Sequence, residues 1–140
     1  MAKTITQKIT FKNTTPEVLY NLYMNAKLHL KATGAPVKIS EKVGADFSAY
    51  DGYCRGKNLQ LIRNKLVVQS WRASDWNEHD VDSTFILLFE QKGKDVVVTM
   101  VHANVPDNQA KALAGGWNDF YWTPWKNYLS ANTSAKPKGI

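Results

Sequence analysis

The chain has 140 residues, 44% of them hydrophobic and 21% charged, with one cysteine and a formal net charge of +6. Those values describe one globular domain and exclude a disordered chain, and no apolar run approaches the roughly 20 residues that cross a bilayer. Cys54 by itself excludes an internal disulfide, and the start MAKTITQKITF lacks the apolar stretch of a signal peptide, so the expected setting is the cytoplasm.

From Thr4 to Lys12, Ile5, Gln7, Ile9 and Phe11 alternate with Thr6, Lys8 and Thr10, which predicts a strand with one buried face. Asn13-Thr14-Thr15-Pro16-Glu17 then reads as a helix start, with Glu17 three residues after Thr14 as in a capping box. One helix is expected from there, with Val18, Leu19, Leu22, Tyr23, Ala26 and Leu30 at helical spacing, until Thr33-Gly34-Ala35-Pro36 ends it. Between Val37 and Val105 short strand-like runs alternate with turn signals at Gly44, Asp51-Gly52, Gly56, Asn64-Lys65, 74–83 and Lys92-Gly93-Lys94, the pattern of an antiparallel meander. Pro106-Asp107 opens a long helix to about Ser130, its inner face Ala110, Leu113, Ala114, Trp117, Tyr121 and Tyr128. The tail ANTSAKPKGI, residues 131–140, is small and polar and reads as a flexible appendage to a single domain over 1–130. Strand, helix, strands, long helix is an α+β order: a curved antiparallel sheet with the C-terminal helix covering one face.

The charge is polarised along the chain. Residues 1–72 carry 12 Lys and Arg against 4 Asp and Glu, whereas residues 73–135 carry 4 against 8. The basic residues stand singly, without a zinc-finger or RNA-binding signature, so the pattern is a solvated face and nucleic acid is not an expected partner. A weak acidic partner stays compatible with it.

Three features bear on chemistry. Residues 117–128, WNDFYWTPWKNY, hold six aromatics in twelve positions, too many for one helix face, and Pro124 among them predicts a kink. Part of that surface fits either an aromatic-rich core or the wall of a cavity for a ligand with one polar end. Gly115-Gly116 weakens the same helix, which means either a close backbone approach or space left for a ligand. Among titratable residues, His102 shares a strand face with Val96, Val98 and Met100, a position more typical of a hydrogen-bonded core histidine than of a catalyst. His29 reads as a charge near a helix C-terminus, and Cys54 as a structural thiol. The loop SDWNEHDVDS lacks the spacing of a calcium loop, so no metal is expected. No cofactor motif is present either. Trp76, Trp122 and Trp125, if exposed, would make a dimer patch, leaving monomer and homodimer both open.

The string KVGADFSAYDGYCRGKNLQLI resembles the G-x-F-x-x-x-x-G-y-x-G-x-n-l stretch of the activator of heat-shock-protein-90 ATPase homologue-like domains. LVVQSWRASDW is similar to their I-V-Q-x-W-R strand, VTMVHANVP to their L-T-L-x-H-x-x-V-P strand end, and GWNDFYWTPWKNYL to their closing helix. The similarity covers about residues 3–130. It implies the helix-grip fold of START-type and birch-pollen-allergen-like domains, in which a curved sheet wraps a long C-terminal helix around an apolar cavity, with a short helical insertion after the first strand. By position, the resemblance places Trp71, Phe85, Leu87, Met100, His102, Trp117 and Tyr121 near such a cavity. Val67 and Val68 are both apolar, so the face of Trp71 stays open. In the two-domain activators this type of domain is the C-terminal part, so the resemblance speaks for the domain more than for chaperone stimulation.

The expected function is non-enzymatic: a binding module holding a small apolar or amphipathic molecule, whose polar end His102 or a tyrosine hydroxyl would orient. One alternative is docking to a chaperone or other acidic protein. A second is a cyclase- or dehydratase-type enzyme with His102 as general acid and base.

Overall fold

The computed structural model describes residues 2–138, and side chains through residue 131. Seven strands form one antiparallel sheet: β1 (Ala2–Phe11), β2 (Val37–Lys38), β3 (Asp46–Ala49), β4 (Cys54–Ile62), β5 (Leu66–Ala73), β6 (Ser83–Lys92) and β7 (Asp95–Pro106). Their spatial order is β1-β7-β6-β5-β4-β3-β2, so β2 to β7 meander in sequence and β1 closes against β7. The alternation that predicted the strands also sets the register. Ile5, Phe11, Val67, Gln69, Trp71, Phe85, Leu87, Val96, Val98, Met100 and His102 all fall on the covered face. That settles the face of Trp71: β5 buries Val67, Gln69, Trp71 and Ala73, while Val68 is half-buried on the other side. Gly56 permits β4 and β5 to approach, because a Cβ there would overlap the Ser70 carbonyl.

The single helix expected after β1 is two, α1 (Pro16–Met24) and α2 (Ala26–Thr33). Thr15, rather than Thr14, is the N-cap, its hydroxyl accepting from the Val18 amide at 3.3 Å, so Glu17 closes no capping box. Asn25 takes extended backbone angles between the helices, and its side-chain oxygen accepts from the Leu28 amide at 3.1 Å. The change of direction buries His29 and leaves Leu30 exposed. The strand expected over 37–43 is only the two residues of β2.

The C-terminal helix begins as α3 (Asp107–Trp117), passes through one π turn at Asn118–Trp122 and continues as α4 (Thr123–Lys138). The expected tail, 131–140, includes the end of α4, but residues 139–140 and the side chains beyond 131 lie outside the described residues. The irregularity forecast from Pro124 takes the form of the π turn. In an α-helix residue 124 would donate to the carbonyl of Phe120, and proline has no N–H to donate. Instead the chain widens by one residue, with the Thr123 amide bonding to Asn118, and the Tyr50 hydroxyl donates to the Phe120 carbonyl at 3.1 Å. The extra residue rotates the helix so that Trp117, Tyr121, Trp122 and Trp125 all turn inward, while Phe120 points out. Trp122 and Trp125 are therefore core residues, Trp76 after β5 is buried against Trp71, and the three form no surface patch, while Ala110, Ala114 and Tyr128 are only half-buried.

Candidate functional site

Between one end of α3 and the hairpin linking β3 to β4 the sheet and helix do not close. The gap is a half-open cleft of about 300 Å³. Tyr50, Tyr53 and Cys54 form the hairpin wall, and Trp71 of β5 forms the floor. Ala112, Leu113, Gly116 and Trp117 of α3, with Phe120 and Tyr121 of the π turn, form the opposite wall. Phe120 (57% exposed) and Tyr53 (38%) stand at the mouth.

Gly116 is one reason the space exists. A Cβ there would meet only the Phe120 ring at 3.8 Å, and one at Gly115 would meet nothing within 4 Å, so neither glycine serves a close backbone approach. On the hairpin side Tyr50 has a φ of 54°, a left-handed conformation costly for a bulky residue. Its hydroxyl bond to Phe120 and its edge contact with the Phe120 ring (5.5 Å) tie that wall to the helix. The ionisable groups here stay neutral. Burial pushes the Cys54 thiol up to about 12 and raises the Tyr50 and Tyr121 phenols above their ordinary 10.0. Cys54 is thus a buried strand thiol with its Sγ 3.9 Å from the Ala49 carbonyl, not an activated nucleophile.

Of the residues assigned to a cavity from sequence, Trp71, Trp117 and Tyr121 border the cleft. Phe85, Leu87, Met100 and His102 lie deeper, each fully buried in the packed layer beneath it. Phe85 stacks on Trp117 with centroids 4.4 Å apart and planes at 11°. The Ser83 hydroxyl donates to the Trp71 carbonyl at 2.8 Å, so it must accept from His102 Nε2–H at 2.7 Å. Trp117 Nε1–H donates to His102 Nδ1 at 3.1 Å. Both ring nitrogens are therefore used inside the core, and burial pulls the imidazole down to about 3. His102 acts as a cross-link between β6, β7 and the helix, with no nitrogen left to exchange a proton with a molecule in the cleft.

His29, expected at a helix end, is equally buried. Its Nδ1–H donates to the Tyr23 carbonyl at 2.8 Å, and its Nε2 accepts from the Tyr121 hydroxyl at 3.1 Å. Burial lowers its pKa too. The break at Asn25 makes this contact, which helical spacing alone could not reveal. Another buried chain runs from the Tyr23 hydroxyl to Gln69 (2.8 Å), on to Asn58 (2.9 Å), and then to the Ser40 and Lys42 carbonyls. It fixes the segment between β2 and β3 to the sheet. The acidic loop at 74–83 is organised by Arg72, which bonds the Asn77 and Asp80 carbonyls (2.6 Å each) and the Asp82 carboxylate (2.9 Å). Among the described residues no group of His, Cys, Asp and Glu is arranged to hold a metal. No described helix is long and apolar enough to cross a membrane.

Sequence reasoning missed Tyr50, Tyr53, Leu113 and Phe120 as cleft residues. The only local signals were the glycine pair and the surplus of aromatics.

A curved antiparallel sheet gripping a C-terminal helix, with an aromatic cleft left between them, defines a helix-grip domain. The chain belongs to the family described as Activator of Hsp90 ATPase homolog 1-like protein, whose profile matches residues 13–130. It is 29% identical over 120 residues to the human activator of 90 kDa heat shock protein ATPase homolog 1, covering 84% of this chain and 35% of that protein. An uncharacterised protein of Schizosaccharomyces pombe is 29% identical over 123 residues, covering 87% of this chain and 36% of that protein. The chain thus spans about a third of the length of the curated relatives it matches. Among solved structures, an HSP90 activator from Plasmodium falciparum superposes with a TM-score of 0.80 at 24% identity, covering 90% of this chain and 96% of that one. The Aha1 dimer from Colwellia psychrerythraea gives 0.71 at 20% identity, covering 86% and 92%. These likenesses establish the helix-grip fold expected from sequence.

Proposed function

We propose that the protein is a non-enzymatic binding module that holds a small apolar or amphipathic molecule in the cleft between the β3–β4 hairpin and α3. The observation that carries this reading is Gly116. A glycine inside a helix costs about 1 kcal/mol relative to alanine, and here its missing side chain opens directly onto an aromatic-walled space of about 300 Å³. That volume lies at the lower end of the range typical of small-molecule sites, and the lining is apolar with few polar atoms, as such sites require. The sealed His102 supports binding over acid–base turnover. Equilibrium dialysis against N-phenyl-1-naphthylamine, a neutral apolar probe, tests the proposal. The wild-type protein should take up one equivalent, and Gly116→Leu, whose side chain would fill the cleft, should take up none. No uptake by the wild type, or uptake unchanged by Gly116→Leu, overturns it.

A second reading has an observation of its own. Relatives are named as activators of a heat-shock-protein ATPase, and Lys38, Ser48, Arg55 and Arg72 sit opposite one another across four strands. Lys38 and Arg55 are exposed and have no acidic partner among the described residues. Docking of that face to a chaperone or another acidic protein would weaken steeply with salt, which a pull-down at low and high ionic strength measures.

A further inference from the structure

The lining of the cleft specifies more than apolarity. None of its ten residues is an Asp, Glu, Lys, Arg or His, and its thiol and its buried phenols stay protonated. A carboxylate or ammonium entering that space would shed water and meet no counter-charge, which is prohibitive unless a partner is supplied.

The polar atoms that remain are unequal. The hydroxyls of Tyr50 and Tyr121 already donate elsewhere, to the Phe120 carbonyl and to His29. Trp117 Nε1–H is spent on His102. Trp71 differs. It is 3% exposed and borders the cleft, and its Nε1 makes no hydrogen bond among the described residues. Nor is that nitrogen sealed in the core, as the partnerless Nε1 atoms of Trp76 and Trp125 are. The cleft is the space to which Trp71 has access. An indole N–H is a donor only, so what it lacks is an acceptor.

We propose, resting on the cleft reading above, that the site selects an uncharged aromatic molecule bearing a hydrogen-bond acceptor such as a carbonyl oxygen, held between aromatic walls with the acceptor on Trp71 Nε1. Fatty acids and other carboxylates are rejected because no cation among the described residues lines the cleft. Flat rings are favoured because Trp71, Trp117, Phe120, Tyr50 and Tyr53 offer ring faces and edges from both sides.

Three probes of one shape test this by isothermal titration calorimetry at pH 7: 2-acetylnaphthalene (neutral, with an acceptor), 2-ethylnaphthalene (neutral, without one) and 2-naphthoate (charged). The wild-type protein should bind 2-naphthoate at least tenfold more weakly than 2-acetylnaphthalene. Trp71→Phe keeps an aromatic ring and deletes the donor. It should weaken 2-acetylnaphthalene about three- to tenfold more than it weakens 2-ethylnaphthalene, the difference being the worth of one hydrogen bond. Naphthoate binding as tightly as the ketone overturns the proposal, and does so on wild-type data even if the variant folds poorly. Equal losses for ketone and ethyl probe in Trp71→Phe also overturn it, while leaving the cleft itself standing. Failure of all three probes to bind the wild type overturns the cleft reading together with this one.

Discussion

The two ends of the sheet–helix interface are built from the same kinds of residue and come out differently. Toward α4, Trp122 and Trp125 pack on Phe11 with centroids 6.4 and 5.8 Å away, and all three rings are buried. Toward α3, the helix offers Ala112, Leu113 and Gly116 to a hairpin tied to the π turn through Tyr50, and a cleft remains. The difference teaches that small residues on the helix leave space where large ones fill it. The sheet supplies large aromatics at both ends.

That contrast can be broken most forcefully at the filled end. Trp125→Ala should cost about 3–5 kcal/mol in denaturant unfolding, the usual penalty for truncating a buried large aromatic. It should leave uptake by the folded fraction intact; a cost below about 1 kcal/mol would mean that this end is as loosely packed as the cleft.

The boundary between the two ends is sharpened by acid. His102, which sits between them, is held down to about 3 against an ordinary 6.5. The unfolded chain therefore takes a proton below pH 6.5 that the folded chain refuses until about pH 3. The stabilisation is present in full above pH 6.5 and drains as pH falls through that window, by up to about 1.4 kcal/mol per pH unit. Urea titrations at pH 7, 5.5 and 4.5 should show the loss, and His102→Gln should flatten it. His29, lowered in the same direction, adds to the slope.

The smallest change tests the open end. Gly115→Ala meets nothing within 4 Å and lies outside the cleft, so it should raise stability by about 0.5–1 kcal/mol without altering probe uptake. A loss of stability would mean that the missing side chain at residue 115 serves packing after all.

Much of the fold was legible because period-two alternation survives the tertiary context. Val96, Val98, Met100 and His102 occupy the face that their spacing assigned, and Pro124 marked the place where the helix is irregular. What stayed hidden depends on contacts distant in sequence. The burial of His29 needs the redirection at Asn25 and a partner 92 residues away. The hairpin wall of the cleft needs the carbonyl that Pro124 frees, 70 residues beyond Tyr50. The form of the irregularity, one extra residue in a turn, has no signature in hydrophobic spacing, and it buries Trp122 and Trp125, whose exposure the sequence left open.

The tryptophans have an optical consequence. From Trp76 to Trp71, Trp117, Trp122 and Trp125 the successive ring centroids are 5.6, 6.0, 6.0 and 5.3 Å apart, so all five indoles form one unbroken relay. Excitation passes between indoles at such separations well before any of them emits. The chain therefore glows as a single lamp. A molecule in the cleft touches only Trp71 and Trp117, yet if it absorbs where indole emits, it dims the light of the whole protein.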